Sequence, residues 1–210
     1  MREALGYPLR GDHAEKALLS AWLCVLVHAI VIPIVTLVPL VGYVATVLVG
    51  ESDEPPPFLE RALVGRSLGA TVLVVGYGVV PVGAALISIL LLTGGDQPPT
   101  DADALFVLVG STAVLAMLAA YAYLVPIALA NYARTGSLRG GLTGLGAVAG
   151  DAVYFVGWAS GSIVLLVGIG IASAFVDIGG IFAVIGSFVG TYAVLVASRR
   201  VGRGYAAATE

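Results

Sequence analysis

The apolar stretches of this sequence carry few side chains that could do chemistry, and His28 is the clearest of them. It lies in an uncharged stretch, residues 17–49, that contains no second histidine. Ionisable groups inside a membrane are costly and are typical of proton or ion sites, whereas a lone imidazole is more often a hydrogen-bonding core residue. We expect His28 to be structural, with a proton or metal site as the alternative.

Sequence patterns for nucleophilic, metal or phosphate chemistry do not occur. Cys24 is the single cysteine, so it can form no disulfide within the chain and no ligand cluster. The serines of the last two apolar stretches have no histidine or acid nearby and no nucleophile-elbow pattern. No zinc, phosphate-loop or dinucleotide motif is found either. The sequence therefore predicts no catalytic residue, no cofactor and no metal, and we do not expect an enzyme.

Neutral polar side chains could instead line a path for a solute. Five residues are candidates for such a polar path: His28, Thr36, Ser111, Thr112 and Asn131. The helices that carry them would have to bring them to one cavity.

The elements that must position these side chains are membrane helices. Of the 210 residues, 59% are hydrophobic and only 11% are charged, which is atypical of a soluble globular domain. Uncharged apolar runs of about 18 or more residues indicate spanning helices. We predict an all-α integral membrane bundle, with an interfacial N-terminal tail at 1–16, a transmembrane domain at 17–198 and a cytoplasmic C-terminal tail at 199–210. Its five main apolar segments cover about 17–49, 67–93, 104–133, 152–176 and 181–198.

The first apolar segment is longer than one span requires. A helix over 17–49 would be about 50 Å long, against a hydrocarbon core of about 30 Å. It could be a tilted, kinked span, an interfacial helix up to about Trp22 followed by a span, or a re-entrant hairpin that breaks near Pro33. We prefer the kinked span, because a broken backbone needs cover from other helices. The first and third segments are predicted to be Pro-kinked, and the kink positions over the whole chain are Pro33, Pro39, Pro81 and Pro126.

Arginine residues decide the predicted orientation in the cell membrane. Seven arginines lie in or directly beside the loops near 50–66 and 135–151 and in the C-terminal region. The loops near 94–103 and 177–180 carry no basic residue. The positive-inside rule places the first set in the cytoplasm. Five single spans leave the N-terminus and its three bases outside, a seven-to-three split, and a hairpin in the first segment makes the split ten to none. The charges favour the hairpin and the helix length disfavours it, so the side of the N-terminus stays open.

Glycines recur at helix-packing spacing in the last two segments. Gly157 with Gly161, and Gly186 with Gly190, each form G-x-x-x-G, which lets helix backbones approach closely in lipid. We expect tight packing within the chain, with a homodimer face as the alternative. The expected partners are membrane lipids and a membrane protein or a second copy of the chain. No basic block with interleaved aromatics occurs, so nucleic acid is not expected.

Several short motifs together resemble a known family. They are the stretches at 3–8 (EALGYP), 54–58 (EPPPF), 130–136 (ANYARTG) and 202–205 (GRGY), with Gly11-Asp12, Pro39, Gly42-Tyr43 and Val125-Pro126. This set resembles a family of small archaeal membrane proteins, abundant in haloarchaea, known as domain of unknown function 4013. The acid-rich, Lys-poor composition also suits a high-salt or high-GC organism. Family members tend to carry Arg after the Gly-Tyr pair, where this chain has 46–49 (TVLV). The resemblance implies fold and lineage and assigns no activity or site residue.

Two functions fit these observations. The first is a structural or accessory membrane subunit that packs through Gly-rich helix faces and binds partners through the loops at 50–66 and 135–151. The alternative is a carrier or channel for a neutral or lipid-like solute, with Pro-kinked helices lining its path. A cavity lined by the five candidate polar residues would favour the carrier, and a closed apolar bundle with an exposed Gly stripe would favour the subunit.

Overall fold

A computed structural model describes residues 5–31, 34–58, 61–93 and 101–210, without the side chains at 61–62, 92–93 and 101–106. Within these ranges the chain forms helices and turns, and no strand. Short 3-10 turns, Tyr7–Leu9 and Ile34–Thr36, precede the first two helices. The helices are α1 Ala14–Val31, α2 Leu37–Val49, α3 Arg61–Thr93, α4 Asp101–Thr135, α5 Leu138–Leu142, α6 Leu145–Ala149, α7 Ala152–Ile178 and α8 Ile181–Ala207.

Five of the described helices, α1, α3, α4, α7 and α8, are long and apolar enough to cross a membrane. The predicted all-α bundle with five apolar segments is confirmed at this level. A shorter apolar stretch, Ile34–Val49, follows α1. Many large apolar side chains stay exposed along these helices, as expected where the surrounding solvent is hydrocarbon.

The first apolar segment folds back on itself. α1 ends at Val31 and α2 begins at Leu37. Gly11, in the turn before α1, lies directly against the carboxylate of Glu54, which follows α2. A single span would hold these two residues on opposite sides of the membrane. The structure therefore replaces the preferred kinked span with the hairpin that the charges favoured.

The last helix packs against both helices of this hairpin. Leu18 of α1 and Tyr43 of α2 belong to one buried cluster with Leu195 of α8. Trp22 adds a polar contact, since its Nε1 donates to Ser187 Oγ at 2.9 Å. These contacts lie along the two helices and not at the turn between them, where Ile34 and Val35 are 72% and 75% exposed.

The predicted Pro kinks are not confirmed. Pro39 lies in the first turn of α2, where a missing N–H removes no intrahelical hydrogen bond. α3 and α4 continue past Pro81 and Pro126, and bends at these two prolines stay predictions. Pro33 lies outside the described residues.

The four predicted helix-packing glycines lie between α7 and α8. A Cβ at Gly157 would lie 2.7 Å from the Cα of Gly204, and one at Gly161 would lie 3.0 Å from the carbonyl oxygen of Ala197. A Cβ at Gly186 would lie 2.7 Å from the carbonyl oxygen of Ala172, and one at Gly190 would lie 3.4 Å from the Ala172 Cβ, which is an ordinary van der Waals contact. These glycines therefore pack the chain against itself. The turn between the two helices uses Gly179 and Gly180, whose φ values of 79° and 59° suit glycine.

The final helix extends further than the sequence indicated. Residues 199–207, predicted as part of a tail, continue α8, and Arg199 and Tyr205 of this extension are buried. Gly202 lies directly against the backbone of Leu48, and Gly204 lies against Gly157. Small residues thus allow α8 to stay packed beyond its apolar run. The helix therefore remains in the bundle past Arg199, the first charged residue after that run.

One end of the bundle holds the basic residues. We call residues 5–16, 50–58, 134–151 and 199–210 the basic end, because they meet around Arg199 and Tyr205. Each helical hairpin starts and finishes on this side. None of the described Lys or Arg positions lies near the opposite turns.

Candidate functional site

The candidate site lies at the basic end, and Arg199 is its centre. This side chain is only 3% exposed. Its Nη1 donates to the carbonyl oxygen of Gly50, and its Nη2 donates to that of Ser52 at 2.6 Å. A longer contact, 3.4 Å, reaches the carbonyl oxygen of Glu51. α2 ends at Val49 with Gly50 as its C-cap. The guanidinium therefore satisfies the Gly50 carbonyl, which the helix end leaves unpaired, and complements the negative end of the helix dipole.

The ring of Tyr7 lies over this guanidinium. The distance from Arg199 Cζ to the ring centroid is 5.2 Å, within the range of a cation–π contact. Tyr7 is 2% exposed, and its hydroxyl has no hydrogen-bond partner among the described residues. Burial raises the pKa of Tyr7 to about 12, and the positive charge of Arg199 offsets part of this rise. The segment before α1 is therefore part of the buried core.

Asp53 completes this side of the site. Arg203 Nη2 lies 2.6 Å from Asp53 Oδ1, and Arg199 Nη2 lies 3.4 Å from the same oxygen. The hydrogen bond from Arg203 and its charge hold the pKa of Asp53 below its ordinary value. Because the Asp53 side chain is 67% exposed, the pair orders the loop after α2 more than it stabilises the fold.

A second polar cluster joins α4 to α8. The Tyr205 hydroxyl donates to Asn131 Oδ1 at 2.5 Å, and Asn131 Nδ2 donates to the carbonyl oxygen of Thr143 at 2.9 Å. Arg134 Cζ lies 5.8 Å from the centroid of the Tyr205 ring, and its Nη1 donates to Thr209 Oγ1 at 3.0 Å. These contacts hold the α5–α6 connection and the end of α8 against α4.

Two polar cavities open beside these clusters. The larger has a volume of about 530 Å³ and lies between the ends of α2 and α8, with Glu51, Asp53, Arg134, Arg199 and Arg203 in its wall. The smaller, about 260 Å³, lies between α4 and the α5–α6 connection, and Arg134 and Tyr205 line both. Mixed charges at such a surface can hold a polar group at the membrane boundary. Among the described residues, no three His, Cys, Asp or Glu side chains come together as a metal site.

The five candidate polar-path residues are not brought together. Ser111 and Thr112 are exposed on α4, where both hydroxyls bond the carbonyl oxygen of Leu108 in their own helix. Asn131 lies on the same helix about 28 Å away, at the basic end. His28 and Thr36 lie near the turn of the first hairpin, and the His28 Nδ1 is buried without a partner among the described residues. Only Asn131 lines one of the two polar cavities.

Arg199 and Tyr7 are the residues that the sequence analysis missed. The sequence assigned Arg199 to a tail because it follows the last apolar run. The useful signal was the small residues around it, since Gly202 and Gly204 continue the packing face of α8 past the charges. Tyr7 gave no such signal, because its burial depends on the fold of the first hairpin.

Comparisons with known proteins place the chain in a family. A family model described as "Protein of unknown function (DUF4013)" matches residues 25–176. No curated protein matches the chain, and no solved structure matches it. An archaeal and halophilic origin stays a prediction.

Proposed function

We propose that the chain, which belongs to the DUF4013 family of proteins of unknown function, is a structural or accessory subunit of a membrane protein assembly. We further propose that it is a multi-pass protein of the cell membrane with its basic end in the cytoplasm. Support for this orientation comes from the charge asymmetry between the two ends of the bundle.

The observation that carries the proposal is an apolar ridge on α3. Its members are each at least half exposed and alternate at spacings of four and three residues: Leu68, Val72, Val75, Val79, Val82 and Leu86. This spacing is the one at which two helices interlock. Gly76 and Gly83 lie beside the ridge, and a Cβ at either would meet no described atom within 4 Å. An open small-residue face of this kind allows a partner helix to approach closely.

The glycine faces named from the sequence are not available for this role. Gly157 and Gly161 contact α8, and Gly186 and Gly190 contact α7. A partner would therefore dock on α3 rather than on α7 or α8.

Polar side chains within the helices support a packing role over a conducting one. The Tyr121 hydroxyl donates to the carbonyl oxygen of Val74 at 3.2 Å, and the Tyr154 hydroxyl donates to the backbone carbonyl oxygen of Tyr123 at 2.7 Å. Trp158 Nε1 donates to the carbonyl oxygen of Ala122 at 3.0 Å. These donors tie helix to helix, so they are not free to solvate a solute that moves between helices.

The α5–α6 connection offers a second contact surface. Leu138 is 42% exposed and Leu142 is 59% exposed, on either side of Arg139. We propose that this surface and the loop after α2 contact the same partner at the membrane boundary.

The test uses the double variant Gly76→Leu/Gly83→Leu. The protein is purified in mild detergent from the membranes of its own organism and its mass is measured by native mass spectrometry. We expect a discrete assembly larger than the 21.3 kDa chain for the wild type and a single chain for the double variant. Gly170→Leu is the control, because Gly170 on α7 also has no described atom near its Cβ position. It should keep the assembly.

A single chain from all three proteins would overturn the proposal. The carrier would be established in its place by two results together. Vesicles that contain the wild type would take up a solute, and substitution of polar residues in the helices would reduce this uptake.

A further inference from the structure

An apolar groove of about 360 Å³ runs along α7 and α8. α7 contributes Ile163, Val164 and Val167, and α8 contributes Val189, Val196 and Arg200. The groove follows α8 from Val189 to Arg200 for about 16 Å. Ile163 and Val167 are each 58% exposed, so the groove opens to the hydrocarbon and not into the bundle.

Arg200 gives this groove a charged end. It is the one charged residue that the described part of the chain places in the lining, and it lies at the basic end, where lipid headgroups lie. The neighbouring arginines, Arg199 and Arg203, bond the loop after α2. Arg200 has no such bond within the described part of the chain, and its Nε is buried without a partner. The buried Nε is closed to an outside ligand, but the terminal nitrogens of this guanidinium also have no acceptor among the described residues, and an acceptor on the open side of the groove would supply one.

We propose that the groove binds one anionic phospholipid, with an acyl chain along α7 and α8 and its phosphate on the guanidinium of Arg200. The planar guanidinium suits two phosphate oxygens at once, and its aliphatic stem lies along apolar surface while the charge reaches the headgroups. An acyl chain matches the uncharged wall and the open side of the groove. Among the described residues, the lining contains no acid that would repel the phosphate. This inference does not depend on the proposed subunit role.

The experiment measures lipid binding by native mass spectrometry in detergent micelles. Phosphatidylglycerol and phosphatidylcholine with the same acyl chains are added separately to the purified full chain. We expect one phosphatidylglycerol to bind about fivefold more tightly than phosphatidylcholine, the scale of one arginine near an anionic surface. Arg200→Gln should abolish this preference. Arg139→Gln, which changes an exposed arginine outside the groove, should keep it.

A second pair of variants tests the apolar part of the groove. Val164→Trp should fill the groove and reduce binding of phosphatidylglycerol severalfold. Leu166→Trp is its control, because Leu166 is 69% exposed on the same helix and does not line the groove. Thermal unfolding of both variants shows whether each is folded.

Any of four outcomes would overturn the proposal. The first is equal binding of the two lipids by the wild type. The second is an unchanged preference in Arg200→Gln. The third is displacement of phosphatidylglycerol by glycerol phosphate at equal concentration, which would indicate a site for a free anion. Binding that survives in a folded Val164→Trp would also place the lipid elsewhere.

Discussion

The guanidinium of Arg199 lies 5.2 Å from the ring centroid of Tyr7, and both side chains are almost fully buried. The same guanidinium donates to the carbonyl oxygens that follow α2. One side chain of the last helix therefore holds the segment before α1 and the end of α2. This arrangement closes the first hairpin at the basic end.

Replacing Arg199 should weaken the whole bundle. Arg199→Leu leaves the carbonyls at Gly50 and Ser52 without their donor, and we expect a loss of about 3 kcal/mol in the free energy of unfolding. The measurement is unfolding in detergent followed by tryptophan fluorescence. Arg139→Leu, at an exposed arginine of α5, should change this free energy by less than about 0.5 kcal/mol. Equal losses for the two variants would contradict the role given to Arg199.

Two buried tyrosines should respond oppositely to loss of the hydroxyl. The Tyr7 hydroxyl has no partner among the described residues, whereas that of Tyr43 donates to the carbonyl oxygen of Pro56 at 3.0 Å. Tyr7→Phe should therefore leave the free energy of unfolding unchanged or raise it. Tyr43→Phe should lower it by about 1 kcal/mol. A larger loss for Tyr7→Phe would show that its hydroxyl has an acceptor in solution.

A side chain at Gly157 should force α7 and α8 apart. Its Cβ position lies 2.7 Å from the Cα of Gly204, so Gly157→Val should cost about 2 kcal/mol or more in the free energy of unfolding. Gly170→Ala on the same helix has open space around it and should be neutral or slightly stabilising. If both changes are neutral, the two helices are less closely packed than the structure indicates.

The hydrophobic pattern predicted the class of fold and most helix positions. Long apolar runs indicate helices in a bilayer whatever their neighbours are, so α3, α4, α7 and α8 could be read directly from the sequence. The hairpin of α1 and α2 could not, because its stability depends on contacts with Leu195 and other residues of α8. Only the charge asymmetry indicated it.

The candidate site was harder to predict than the fold. A search for polar residues within spans selects positions such as Thr112, which bonds its own helix. The polar groups that come together are at the helix ends, and they are distant in the sequence, as Tyr205 and Asn131 show. Pairings of this kind are set by tertiary packing, which spacing along the chain does not encode.

Acidification should weaken the attachment of Asp53 in the loop after α2. The pKa of Asp53 is held below its ordinary value of 3.8 by Arg203, so the folded state binds a proton at this carboxylate less readily than the unfolded state. Its contribution to stability is therefore complete above about pH 5 and is lost as the pH falls through the lowered pKa. Asp53→Asn removes the contribution at every pH.

The measurement is the difference in midpoint temperature between wild type and Asp53→Asn. We expect this difference to be constant above about pH 5 and to shrink below about pH 4, because the protonated carboxyl is then neutral like the amide. Added salt should reduce it at neutral pH, since Asp53 is exposed. A difference that persists unchanged at about pH 3 would show that the amide acts through the shape of the loop and not through charge.

The hairpin makes a prediction about sidedness. Single cysteines are introduced in a Cys24→Ser chain at three exposed positions, as His13→Cys, Ser137→Cys and Asp177→Cys. Gly11 lies against Glu54, so position 13 shares the basic end with position 137, and position 177 lies at the opposite turn. A membrane-impermeant maleimide should therefore label 13 and 137 from one side of sealed vesicles and 177 from the other.

The labelling pattern separates the fold from the orientation, because the two depend on different observations. If 13 and 177 are labelled from the same side, α1 and α2 form one span and the packing of the basic end is wrong. If 13 and 137 share a side that faces outward, the hairpin stands and the cytoplasmic assignment fails. The first result depends on the contact between Gly11 and Glu54, whereas the second depends only on the positive-inside rule. We expect labelling of 13 and 137 from the cytoplasmic side.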